Sequence, residues 1–224
     1  METLFKNHFD TVKISYDNLK KFSEDHLARI TANNPGGVFN DLVTKTGIAH
    51  TAYFGAITNK DVATAVKQGM TLAVDNQIAA FKALVRRKES AVANAFGDDS
   101  PQYQEFFPHG MTEYSNAIKA NIETLMSRIA TAGDTYKNEL GEEFGQAFSD
   151  SYRAYQSLRE AQLGKKGSVS DLQDVTGKNR TVLELQLTAN LHYIAFTYPG
   201  EVQQCLSYFD QSFLRDTKEN KEEE

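Results

Sequence analysis

Apolar residues recur along most of this chain at three- and four-residue spacing, the pitch of a helix with one face turned to a core. The densest stretch is 172–198. There Leu183, Leu187, Leu191, Ile194 and Tyr198 form one stripe, and Val182, Leu185, Ala189, His192 and Phe196 form a second. Two stripes predict neighbours on two sides, and therefore the most buried helix of the fold. Residues 183–192 also alternate as a half-buried strand would. Leu, Glu, Gln and Ala favour helix, however, and neither Gly nor Pro interrupts positions 180–197, so helix is preferred.

The rest of the chain reads the same way. Over 3–33, Phe5, Phe9, Val12, Tyr16, Leu19, Phe22, His26 and Ile30 predict a long first helix, stopped by Asn33-Asn34-Pro35-Gly36-Gly37. A second helix is predicted over 38–57 with Phe39, Leu42, Val43, Ala49, His50, Tyr53 and Ile57 inward, and the small residues of 47–56 allow a neighbouring helix to approach closely. Thr58-Asn59-Lys60-Asp61 reads as a cap that opens a third helix, running through Val62, Val66, Met70, Val74, Ile78, Phe81, Val85 and Val92 to Phe96 and closed by Gly97. Ser100-Pro101 opens a short helix to Phe107.

A fifth helix, capped by Thr112, turns Tyr114, Ile118, Ile122, Leu125 and Ile129 inward and breaks at Gly133-Asp134. A sixth spans 141–163 through Phe144, Phe148, Tyr155 and Leu158, and residues 164–170 predict a flexible loop before the central helix. Tyr198-Pro199-Gly200 ends that helix, and a last short one carries Val202, Cys205, Leu206, Phe209 and Phe213. The predicted class is all-α: an antiparallel bundle of about six long helices plus two short ones in a single domain, 1–215, with a disordered acidic tail over 216–224. The order long, medium, long, short over 3–107 recurs over 112–215 and sets Tyr53 against Tyr155, so two related halves are a further expectation.

Composition narrows the function classes. A chain of 224 residues and 25.0 kDa buries about 70% of its unfolded surface and needs no staples. Cys205, the single cysteine, permits no internal disulfide and reads as a small buried hydrophobe beside Leu206 and Phe209. The first residues lack the basic region and apolar core of a secretory signal, so a cytoplasmic protein is expected. The longest uncharged run, residues 46–59, is shorter than the roughly 20 residues of a membrane span, and none is predicted. A net charge of −6 argues against nucleic acid as a partner.

The common catalytic and cofactor signatures are missing: no P-loop, no Gly-x-Gly-x-x-Gly, no Gly-x-Ser-x-Gly and no His-Glu-x-x-His. No histidine follows a Glu at three residues, as a di-iron bundle requires. No catalytic residue, metal site or cofactor is therefore predicted. Even so, His26, His50 and His192 fall on apolar stripes, where a buried imidazole needs a partner. That partner is a metal or acid-base group on one reading, and a Tyr hydroxyl or carbonyl on the commoner one. If the first two helices pair as an antiparallel hairpin, His50 lies opposite residue 20, about 9 Å along the axis from His26, too far to share an ion.

Lys82, Arg86, Arg87 and Lys88 form the densest basic cluster, an anion or partner patch on one reading and a solvated face on the other. Asp98, Asp99 and Glu105 bring oxygens to the 96–110 connection, which otherwise reads as a lid seating Phe106 and Phe107 on one bundle end. The leading expectation is a non-enzymatic bundle acting through a protein partner or as a homo-oligomer. The alternative is a ligand-binding bundle or enzyme with an inter-helix pocket lined by Tyr16, His26, His50, Tyr53, Tyr155 and His192. A third reading uses the uncharged 46–59 stretch as a membrane-insertion element.

Overall fold

A computed structural model of the chain describes residues 6–10 and 14–214. Among these residues the regular structure is entirely helical, and the fold is an all-α bundle. The helices are α1 (Tyr16–Ala32), α2 (Asn40–Phe96), α3 (Pro101–Phe106), α4 (Gly110–Ser115), α5 (Ile122–Thr135), α6 (Lys137–Leu140), α7 (Glu142–Thr197) and α8 (Val202–Leu206). Single 3-10 turns occupy Pro35–Gly37 and Gln211–Leu214.

Helix ends follow the sequence wherever the stop is local chemistry. The Ser100 hydroxyl accepts from the Tyr103 amide at 3.0 Å, with Pro101 at the first helical position. Gly97, at φ 86°, closes α2 with a backbone conformation that a side chain would strain.

Several expected boundaries are absent. Residues 58–61 continue α2, because Thr58 donates back to the Phe54 carbonyl (3.2 Å) instead of capping a new helix. Residues 164–170, expected as a loop, lie inside α7, where the Ser168 hydroxyl donates to the Gly164 carbonyl at 3.1 Å. Two glycines weaken a helix by about 1 kcal/mol each, and packing on both flanks outweighs that. Gln162 donates to Thr71 (2.9 Å) on one side, and Asn179 donates to the Ala52 carbonyl (3.1 Å) on the other. α5 likewise passes through Gly133 to Thr135.

The first helix starts late, at Tyr16 capped by Ser15, and residues 6–10 are turns and bends. Phe5, Val12 and the acidic 216–224 segment lie outside the described residues. Thr112 sits inside the short α4 rather than capping a long helix.

The chain divides into two compact units, Met1–Val62 with Val169–Glu224, and Ala63–Ser168. In the first, Phe9, Leu19, Phe22, Tyr53, Leu183 and Leu187 form a core that Ile30, Phe39, Leu42, Ile194 and Tyr208 extend. α1 and α2 pair antiparallel here: Lys20 lies over the Phe54 ring, Ser23 meets His50, and Leu27 faces Gly47. His50 therefore stands opposite Ser23, three residues beyond the position expected. α7 also runs antiparallel to α2, since Asn179 reaches Ala52 while Asn190 reaches Thr46.

The second unit is centred on Phe81, Val85, Phe106, Phe107, Tyr114, Phe144, Phe148 and Tyr155. Phe106 and Phe107 are buried, as expected of a lid, whereas Ile118 is 63% exposed rather than inward. Helix lengths are 17, 57 and 6 residues for α1, α2 and α3, and 14, 56 and 5 for α5, α7 and α8.

α5 and α7 cross at two glycines. A Cβ on Gly145 would lie 2.9 Å from the Gly133 carbonyl and 3.1 Å from the Asp134 nitrogen, both backbone atoms that cannot swing aside. Gly145→Ala is expected to lose about 1–3 kcal/mol of stability through overpacking, although alanine is the better helix former. Gly164→Ala meets nothing within 4 Å and is expected to gain about 0.5–1 kcal/mol. Urea unfolding of the pair checks the opposite signs.

Candidate functional site

The histidines that sequence periodicity placed on apolar stripes have mostly been taken up by the fold. His26 is fully buried in the first unit and bonded at both ring nitrogens. Its Nδ1–H donates to the Tyr208 carbonyl at 2.8 Å, and Nε2 accepts from the Asn190 amide at 3.0 Å. The same amide donates to the Thr46 hydroxyl (2.7 Å), while Asn190 Oδ1 accepts from Gln186 (2.8 Å). The imidazole also stacks on Phe209 with ring centres 4.4 Å apart. Burial drives its pKa down from 6.5 to about 4, against the raising influence of the Tyr208 carbonyl and Asp25. Its proton and its lone pair are both committed, which leaves nothing for a reacting group.

His50 looks more reactive at first. Its Nδ1 is 2.9 Å from Ser23 Oγ and its Nε2 is 3.6 Å from Glu24 Oε1, so Ser, His and Glu follow one another as in a nucleophile relay. Ser23, however, has no exposed surface, and its hydroxyl donates to the Lys20 carbonyl at 2.8 Å. It accepts from His50 and is closed to substrate. Burial lowers the His50 pKa, Glu24 raises it and Lys20 lowers it further.

Tyr16 and Tyr53 stack with ring centres 6.1 Å apart, and the Arg180 guanidinium lies 5.2 Å from the Tyr16 ring. Arg180 donates to Glu184 (2.7 Å) and to the Ile14 carbonyl (2.9 Å). The Tyr53 hydroxyl is buried with no hydrogen-bond partner among the described residues, and burial pushes its pKa up. His192 meets His8 edge-on at 6.5 Å. Tyr155 belongs to the core of the second unit, where burial raises its pKa. The structure thus joins Tyr16 with Tyr53, holds His26 and His50 in separate hydrogen-bond systems, and seats Tyr155 among other residues.

The basic cluster divides as well. Lys82 donates to the Ser115 carbonyl (3.0 Å) and Lys88 lies 5.9 Å from the Phe144 ring centre, while Arg86 and Arg87 are exposed. Glu105 accepts from the Tyr136 hydroxyl at 3.0 Å. Among the described residues no three His, Cys, Asp or Glu side chains converge as metal ligands would, and no helix is long and apolar enough to cross a membrane.

Surface grooves form among the described residues. A polar one of about 700 Å³ runs along the α5–α7 crossing past Asp134, Lys137, Glu142, Gln146 and Arg153. Tyr155 borders another of about 280 Å³ with Glu123, Arg159 and Leu163. An apolar one of about 630 Å³ lies between α1 and α2, lined by Leu27, Val43, Gly47, Ile48 and Ala52.

The feature that stands apart is the outer face of α7 in the first unit. Of its large apolar residues, Leu183, Leu187 and Ile194 are buried there, beside the polar Glu184, Thr188 and Asn190. Of the second stripe, expected to face another neighbour, four residues face outward: Val182 is 56% exposed, Leu185 54% and Phe196 81%, with Ala189 exposed and Tyr193 beside them, while His192 is half-buried against His8. Between 181 and 197 the helix carries one charge, Glu184, which is buried and paired with Arg180. On the neighbouring α2, Ile48 is 67% exposed and Val62 60%. Sequence periodicity found these residues but assigned them to the core. Comparison of the chain with family models, with curated proteins and with solved structures returns no match.

Proposed function

We propose that this chain works by association, docking a helical partner on the outer face of α7 without a catalytic centre of its own. The uncharged stripe of Val182, Leu185, Ala189 and Phe196 carries this reading, since no described residue of the chain covers it. Water-facing helices normally alternate charge along that side, and exposed apolar patches of this kind mark interaction surfaces. The polar chemistry beneath supports the same view, because His26, Ser23 and Asn190 are spent on internal hydrogen bonds.

Leu185→Glu and Phe196→Glu test the proposal. Each is expected to leave helical content intact and stability within about 0.5 kcal/mol, as surface substitutions do. Each should also abolish whatever association the unaltered chain displays, in size measurement by light scattering or in capture of its native partner. Association that survives both substitutions would reject the α7 face as the docking surface.

A further inference from the structure

We infer that α7 carries a processing site at Lys165-Lys166, where an endoprotease that cuts after basic residues opens the chain and leaves both pieces folded. The site lies outside the 181–197 stretch and stands independently of it. Because a protease takes its substrate as an extended strand, a helix is cut only where it unwinds, and the cutting rate follows the population unwound.

Burial marks the place. Gln162 and Thr176 are buried, but no residue of 163–175 is, and every one of 163–168 is exposed. A helical turn holds 3.6 residues, so that run includes all faces of the helix and no packing holds it in shape. Gly164 and Gly167 are the poorest helix formers after proline. A Cβ on either would meet nothing within 4 Å, so no close approach requires a glycine there. Lys165 and Lys166 repel as neighbours, and neither has an acidic residue three or four positions away to pair with.

The other basic pairs of the chain, Lys20-Lys21 and Arg86-Arg87, lack these features. Lys20-Lys21 stands between Leu19 and Phe22, both fully buried. Arg86 and Arg87 are exposed, but Phe81, Val85 and Val92 are fully buried in the second unit, and Lys88 reaches the Phe144 ring. Unwinding at either pair takes core side chains into water, whereas unwinding over 163–171 takes none.

Hydrolysis adds water across the Lys166–Gly167 peptide bond, leaving a carboxylate on Lys166 and an amino group on Gly167. Each piece keeps its anchors. The one that starts at Gly167 retains Leu183, Leu187 and Ile194 in the core of the first unit, with the Asn190 bonds to Thr46 and His26. The one that ends at Lys166 retains Phe144, Phe148 and Tyr155 in the second.

Brief trypsin treatment of the full chain is the test. Among cuts between residues 14 and 214, the first is expected after Lys165 or Lys166. The nicked protein should elute with the uncut chain and keep its helical circular dichroism. Gly164→Ala combined with Gly167→Ala should slow that cut about thirtyfold, through helix propensity alone. Without protease, amide hydrogen exchange should be faster over 163–171 than over 144–160 and 180–196. A first cut at Lys20-Lys21 or Arg86-Arg87 overturns the site, as does exchange over 163–171 as slow as in its flanks. Pieces that separate on elution overturn the claim that both stay folded.

Discussion

Arg180→Met is expected to lower the unfolding free energy by about 3–5 kcal/mol, the typical effect of removing one member of a buried ion pair. The Glu184 side chain is 4% exposed, and its carboxylate sits 2.7 Å from Arg180 Nε. Without the guanidinium that charge stays in the interior with its principal partner gone, and the Ile14 carbonyl loses a 2.9 Å donor. The cation above the Tyr16 ring disappears as well. Arg180→Met combined with Glu184→Leu should recover most of the loss, because an apolar pair of similar volume has no charge to desolvate. Urea unfolding of the two variants decides the point: a double variant no more stable than the single one would mean that the unpaired Glu184 charge is not the source of the loss.

Acidification should weaken the fold through His26. Its folded pKa is depressed from 6.5 to about 4, so the stability it contributes is present above the unfolded value and is lost as the pH falls through the folded one. Between those limits the unfolded chain binds the extra proton. The arithmetic gives about 2 kcal/mol lost by pH 5 and about 3 kcal/mol once titration is complete. Protonation at Nε2 would turn the acceptor of the Asn190 bond into a second donor facing the amide N–H, which breaks the chain of bonds from Thr46 to Tyr208. Burial lowers the His50 pKa too, so it acts in the same direction. Unfolding measured at pH 7.5 and pH 5 should show this slope in the unaltered protein and a much flatter one in His26→Leu, whatever the latter's absolute stability. Equal slopes would remove His26 as the cause.

The candidate face was half visible in the sequence. The spacing of Val182, Leu185, Ala189 and Phe196 identifies an apolar side of a helix, but periodicity alone does not say whether that side is buried. Leu183 and Leu187, which alternate with them along the same helix, carry the same signal and are fully buried. The histidines pose the same difficulty. Their place on apolar stripes announced that each needs a partner, but Asn190 for His26 and Ser23 for His50 are 164 and 27 residues distant. No local pattern connects them.

What the sequence by itself determined is the all-helical class, the capped start at Ser100-Pro101, and the stops at Gly97 and after Tyr198, because these depend on side chains and backbone freedom within one turn. Only the tertiary structure decided that residues 58–61 and 164–170 stay helical, that Gly145 lies against Gly133, and that one stripe of α7 is buried while its neighbour is not. Local preference at such a position amounts to about 1 kcal/mol. Packing on either side of it is worth several times more, and that energy belongs to pairs of elements far apart in the chain.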